Sequence, residues 1–374
     1  MRAVLIDCSL PALLWAGGGC AGAGMMTPPP VMTPGFTATS TLVATAGKPF
    51  EAAVSSNGTV FVSLTADGSP GSATGVQVFS QSNGTLQSSC VNPLPAELLG
   101  SNTAFANLSF FPNGTDLGGG IGFPGAIFYN AAGLVGCNAA GFVVGQGSTS
   151  ANNAGTIAVA ATPDGKFAFV ANESGLAPGA GTNGNIGVVA IQRDSGGNFT
   201  SGTTLIGQIA TGGNAIAGMM LSPDGTRLYV TSEIAAGGTV AAGGGNPVLS
   251  KSGCEQGGVS SINGLLTVVD VSKAEAAPNA GAILATVDAG CSPVRLSETF
   301  HNDQLLAVAN SNRFLTGTAN ATILNVASPS AAGVVATIST GNFPREITVG
   351  PDGTTLYLTN FDSDTLQVIQ ITFH

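Results

Sequence analysis

A Pro-Asp-Gly turn recurs along this chain. Clear copies are Thr162-Pro163-Asp164-Gly165, Ser222-Pro223-Asp224-Gly225 and Gly350-Pro351-Asp352-Gly353. Weaker copies are Ser55-Ser56-Asn57-Gly58, Phe111-Pro112-Asn113-Gly114 and Phe300-His301-Asn302-Asp303. The period is about fifty residues, with one large insertion between the fourth and fifth copies. Pro presets φ at the first turn position, and Asp-Gly tolerates the rest. Each copy therefore reads as a hairpin connection.

Strand-forming residues flank every turn. Glu346-Ile347-Thr348-Val349 precedes the last copy, and Thr355–Asn360 and Thr365–Ile371 follow it. Another repeat runs Ala217–Leu221, turn, Arg227–Thr231, Leu265–Val271 and a fourth strand Ala282–Val287. Four strands per repeat at this period predict an all-β fold, a β-propeller of four-stranded blades. Six blades are counted, with a seventh possible in the insertion; the blade around Asn107 to Val143 matches the repeat least. The last repeat stops after its third strand. Ser40–Gly47 resembles the fourth strand Val334–Gly341, so the N-terminal strand is expected to pair into the last blade and cover its edge.

Composition agrees. Hydrophobic residues make up 44 % and charged residues only 8 %, with 55 glycines. That is a mix for short strands and many turns. The net charge of −10, with ten basic residues in all, leaves no basic stripe for nucleic acid.

The first residues read as an export leader, 1–23. Met1-Arg2 is followed by an apolar run through Leu5, Leu10, Leu13, Leu14 and Trp15, then Ala16-Gly17-Gly18-Gly19 before Cys20. Cys20 is the expected lipidation site. The alternative is a secretory signal cleaved near Ala23. Residues 24–35 form a Pro-rich tether, and 36–374 the propeller. No later stretch reads as a spanning helix. Four cysteines lie outside the leader, and an even count in an exported chain suggests disulfides. Cys254 and Cys291 flank strands of one blade; Cys90 and Cys137 end strands of neighbouring blades. Those are the pairs expected. No Cys-x-x-Cys spacing is present, so neither a metal nor a cofactor is expected.

The segments Gly341-Asn342-Phe343-Pro344, Ser222-Pro223-Asp224-Gly225, Arg227-Leu228-Tyr229-Val230-Thr231-Ser232 and Leu356-Tyr357-Leu358-Thr359-Asn360 resemble the YVTN-type repeats of surface and secreted bacterial propellers. They are also similar to the lactonase-like propellers. The resemblance covers nearly all of residues 40–374. Such families usually have seven blades, and the count of six departs from that.

Charge is rare enough here to mark candidate sites. Arg345, Glu346 and Arg295 open first strands where other repeats carry Ala217-Gly218 or Ile157-Ala158. They are candidate catalytic or anion-binding groups, with Glu346 as general base; the alternative is a solvated ion pair. Asn172, Glu233, Asn310 and Asn360 end second strands and are candidate ligand-binding residues. The alternative is turn residues bonding their own backbone. The lactonase resemblance implies His near the channel, yet the only histidines are His301, in a turn slot, and His374, at the end. Two functions follow. One is an exported, monomeric binding or scaffold propeller for a protein, glycan or small molecule. The other is a lactonase-like hydrolase.

Overall fold

The repeated turns fold as their chemistry dictates. In the copy at Thr162, Asp164 Oδ1 accepts the Lys166 N–H at 3.0 Å and the Thr162 hydroxyl at 2.7 Å. Gly165 closes the turn at φ +68°, a region glycine enters at little cost. Gly225, at φ +70°, answers a second demand, since a Cβ there would lie 2.6 Å from Pro163 of the preceding turn. Asp352 shows the electrostatic side of the motif. The Thr355 hydroxyl and the N–H groups of Thr354 and Thr355 hold its carboxyl at about 2, below the usual carboxylate range. The fifth copy lacks Pro and Gly, and His301, Asn302 and Asp303 take the left-handed conformation themselves, at φ 52°, 57° and 59°.

The computed structural model describes residues 45–66, 73–82, 85–95, 98–99, 105, 107–122, 124–146, 155–173, 183–235, 255–256, 259–260, 264–311, 319–350, 352–360 and 365–373. The chain divides into two units, Met1–Ala44 and Thr45–His374, and only the second contains described residues. The leader, the tether, Cys20, Cys254 and His374 lie outside them.

The described strands pair antiparallel in chain order. The first sheet is β1 (Lys48–Val54), β2 (Val60–Thr65), β3 (Gly75–Ser82) and β4 (Thr85–Pro93). The second is β5 (Ser109–Phe110), β6 (Asp116–Gly120), β7 (Ala126–Asn130) and β8 (Phe142–Val144), with α1 (Ala131–Val135) before its last strand. The third is β9 (Thr156–Ala161), β10 (Phe167–Asn172), β11 (Asn183–Ala190) and the first part of β12 (Thr204–Leu221). β12 then runs on without a break to pair with β13 (Arg227–Ala235). The third sheet and the fourth thus form one seven-stranded ladder, and the repeat boundary expected before Ala217 falls inside β12, at the left-handed Ala215 and a register shift between Ile216 and Gly218. A short ladder follows in the insertion, β14 (Glu255–Gln256) with β15 (Val259–Ser260). The fourth sheet is completed by β16 (Gly264–Asp270), α2 (Val271–Ala276) and β17 (Ile283–Gly290). The fifth is β18 (Pro293–Leu296), β19 (Leu305–Asn310), β20 (Asn320–Asn325) and β21 (Gly333–Ser339). The sixth has three described strands, β22 (Pro344–Val349), β23 (Thr355–Asn360) and β24 (Thr365–Gln370).

The sheets stack face to face in sequence order, and the core lies in the seams. Phe61 and Val76 of the first sheet pack with Leu117 and Ile127 of the second. Phe111 and Phe128 pack with Val159 and Val170 of the third. Phe169 and Ile186 pack with Ile216 and Val230 of the fourth. Tyr229 and Leu266 pack with Leu306 and Leu324 of the fifth. Ala307 and Ile323 pack with Ile347 and Leu358 of the sixth. Neighbours on both sides explain why Phe-Ala-Phe-Val-Ala in β10 and Leu-Leu-Ala-Val-Ala in β19 read as unbroken apolar runs rather than alternating ones. Each large side chain so buried contributes about 1.5–3 kcal/mol.

Two covalent ties belong to this stack. Cys90 and Cys137, one of the expected pairs, are joined by a disulfide between β4 and the loop after α1. Cys291 is also disulfide-bonded.

Candidate functional site

Antiparallel order puts the start of each first strand and the end of each second strand at one end of its sheet. All seven candidate residues therefore sit at that shared end. The turns, α2 and His301 sit at the other.

Three first strands meet through one side chain. Arg295, on β18, donates from Nη1 to the Ala217 carbonyl of β12. Its Nε lies 3.4 Å from Glu346 Oε2 on β22. Arg295 thus ties the fourth, fifth and sixth sheets together. It is 23 % exposed, whereas Glu346 is 55 % exposed, so its carboxylate keeps a face to solvent. Arg345 is exposed beside it. Just past the end of β18, Glu298 Oε2 accepts the Thr348 hydroxyl at 3.3 Å and the Val349 N–H at 3.4 Å from β22. The backbone that opens these strands is unusual. Ala215, Ser292 and Phe343 are left-handed, at φ 53°, 53° and 51°. That geometry costs roughly 1–2 kcal/mol per residue. In the fifth and sixth sheets the strained residue stands before Pro, inside the Gly-x-x-Pro pattern.

The asparagines face inward. Asn172 is fully buried; its Oδ1 accepts the Thr156 hydroxyl at 2.6 Å, and its Nδ2 donates to Asn185 at 2.9 Å and Gln146 at 3.3 Å. Asn310 repeats the arrangement, donating to Asn320 at 2.8 Å and to the Thr322 hydroxyl at 3.1 Å. Asn360 donates to Gln367 at 3.3 Å. Each amide clasps the second strand to the third, so the bonds run across strands rather than to the residue's own turn. Glu233 is 1 % exposed at the end of β13, where the insertion begins.

The opposite end carries a cavity of about 490 Å³ lined by Pro163, Asp164, Asp224, Arg227, Asp270 and Glu275 among others. Asp164 and Asp224 serve their turns, and Asp270 caps α2 by accepting the Lys273 N–H. The Ser222 hydroxyl and the Thr226 N–H hold the Asp224 carboxyl below its usual range. Among the described residues no group of three or more His, Cys, Asp or Glu is placed to hold a metal. None of their helices is long and apolar enough to cross a membrane.

Comparison with solved structures matches this architecture. The hydrazine synthase of Kuenenia stuttgartiensis superimposes with a TM-score of 0.57 at 14 % identity, over 87 % of this chain and 84 % of that one. A candidate 6-phosphogluconolactonase from Bacteroides fragilis gives 0.55 at 15 % identity, over 85 % and 78 %. The β-propeller domain of Cps50 (Swd1) from Myceliophteria thermophila gives 0.55 at 10 % identity, over 86 % and 82 %. At such identities the likeness establishes the fold alone, that of a β-propeller. No protein-family model matches the sequence, and no curated protein matches it.

Proposed function

We propose that this chain is an exported β-propeller that binds a protein or glycan at the cell surface or in the periplasm, tethered through Cys20. The observation that carries the reading is how the shared end spends its polar groups. Arg295 holds three strands, and Asn172 and Asn310 hold second strands to third. These groups build a rigid platform. Ligand contact then falls to Arg345, Glu346 and the segments that leave this end, above all the insertion after Ala235.

The ring is proposed to contain six blades and to close between the sixth and first sheets, with the residues ahead of Thr45 as the missing fourth strand of the sixth. Of the expected strand Ser40–Gly47, residues 45–47 are not strand, and Ala46 bonds Ala73 and Gln77 beside the first sheet instead. Two observations support closure. The first sheet buries Val62, Leu64 and Phe79 on the face turned away from the second sheet. The connections that precede β18 and β22 are short, Cys291-Ser292 and 340–343, much like the stretch between residue 45 and β1.

One observation favours a hydrolase instead. The half-exposed Glu346 carboxylate stands beside a cation, as a general base at a lactone site would. Acid release from a lactone panel separates the readings, with Arg345→Ala and Glu346→Gln as controls. Saturable binding on a glycan or protein array, weakened by Arg345→Ala, with no turnover of lactones, is the expected result. Turnover abolished by Glu346→Gln would overturn the binding reading.

A further inference from the structure

The seam between the second and third sheets is locked by a charged pair. Asp116, 2 % exposed at the start of β6, lies 2.9 Å from Arg193 Nη2 in the hairpin between β11 and β12. Arg193 also donates to the Gly197 carbonyl at 3.2 Å, and its guanidinium covers the Phe199 ring at 4.1 Å. Phe199 in turn packs on Phe128 at 5.6 Å and on Phe142 at 6.2 Å. The hairpin of one sheet is thereby fastened to its neighbour.

Asn113 completes the lock. It occupies the turn slot that Asp fills in the clear Pro-Asp-Gly copies. At Asp352 the residue three positions on is a donor, Thr355, whose hydroxyl bonds the carboxylate at 2.5 Å. Here the residue three positions on is Asp116, an acceptor. Asn113 Nδ2 donates to Asp116 Oδ2 at 2.5 Å, while its Oδ1 accepts the N–H groups of Thr115 and Asp116 at 3.0 and 3.2 Å. Only an amide meets both demands; a carboxylate would set two like charges in contact with one of them buried.

Asn113 is followed by Gly114 in an exposed turn, the dipeptide most prone to spontaneous deamidation. We propose that Asn113 is a modification site whose deamidation releases the seam between the second and third sheets. The Gly114 nitrogen attacks Asn113 Cγ, so an N–C bond forms as the Cγ–Nδ2 bond breaks. Ammonia leaves, and water opens the ring to aspartate or isoaspartate. No oxidant or reductant takes part. Asn57-Gly58 is a built-in control: it fills the same turn slot, but Val60 stands where Asp116 does. Both glycine N–H groups make the same 2.9 Å turn bond, and what distinguishes Asn113 is the bond from its Nδ2 to Asp116.

The test compares thermal unfolding of Asn113→Asp, Asn113→Ser and Asn57→Asp. Asn113→Asp is expected to melt roughly 5 °C below Asn113→Ser, because a buried pair is broken by charge. Asn57→Asp should match the unsubstituted protein. Equal melting of the two Asn113 variants overturns the proposal. Should Asn113→Asp fail to fold, protein aged at alkaline pH supplies the reading. Amide exchange in residues 192–203 should quicken only in molecules deamidated at 113. Unchanged exchange there, or ageing that converts Asn57 and spares Asn113, overturns it as well.

Discussion

Replacing Cys90 and Cys137 by serine removes the covalent tie between the first two sheets, and its cost follows from the chain length it closes. The bridged residues are 47 positions apart. Cross-linking a loop of that length withdraws about 14 cal/mol/K of entropy from the unfolded chain, or about 4 kcal/mol at 25 °C. Side-chain packing adds little, because Cys137 is exposed and Cys90 only half-buried. Unfolding entropy of about 2.1 cal/mol/K per residue, taken over residues 45–374, converts this to a fall in Tm of about 6 °C. Circular dichroism melts of the two proteins, checked by urea unfolding for an unchanged slope, give the number. A fall of under about 1 °C would mean that loop closure is not the source of the stabilisation. The ends of the loop would then already meet in the unfolded ensemble, or the first sheet would unfold separately from the rest.

Two further outcomes test the architecture. Arg295→Ala should lower stability by about 1–3 kcal/mol, because the Ala217 carbonyl loses its donor. Glu346→Gln should cost less than about 1 kcal/mol, because that ion pair is largely solvated; urea midpoints in the reverse order would show that Arg295 does not clamp the strands. Starting the chain at Thr45 should depress Tm, and a peptide of residues 40–44 added in trans should restore part of the loss by pairing with β24. A truncated chain that melts with the longer one would remove the closing strand from the account.

The fold was legible because its punctuation is local. Pro-Asp-Gly reports a hairpin from three adjacent residues, and β9–β10, β12–β13 and β22–β23 turn where that motif stands. The candidate residues were legible by place and not by role. Arg295 is conspicuous as a charge at the mouth of a first strand, but the carbonyl it holds lies 78 residues upstream, and local reading carries no signal for it. Asn172 and Asn310 announce polarity at a strand end; their partners Asn185 and Asn320 appear only once the third strand is in register. Arg193 and Asp116 gave no signal at all, since neither interrupts a repeat.

The stack also limits where function can reside. The inner strands of a sheet are consumed by its neighbours, as the near-complete burial of β10 and β19 shows, whereas the outer strand β21 leaves Val334 and Val335 exposed; the polar candidates lie at the two ends. At the turn end, side chains such as Asp224 and Asp352 are committed to their own hairpins. At the other end, strained openings at Ala215, Ser292 and Phe343 are maintained in successive sheets at an energetic cost that hairpin geometry does not require. Strain repeated where three strands are also clamped by one arginine argues that this end is the one whose shape matters. Arg345 and Glu346 are therefore the first positions to vary in a binding screen.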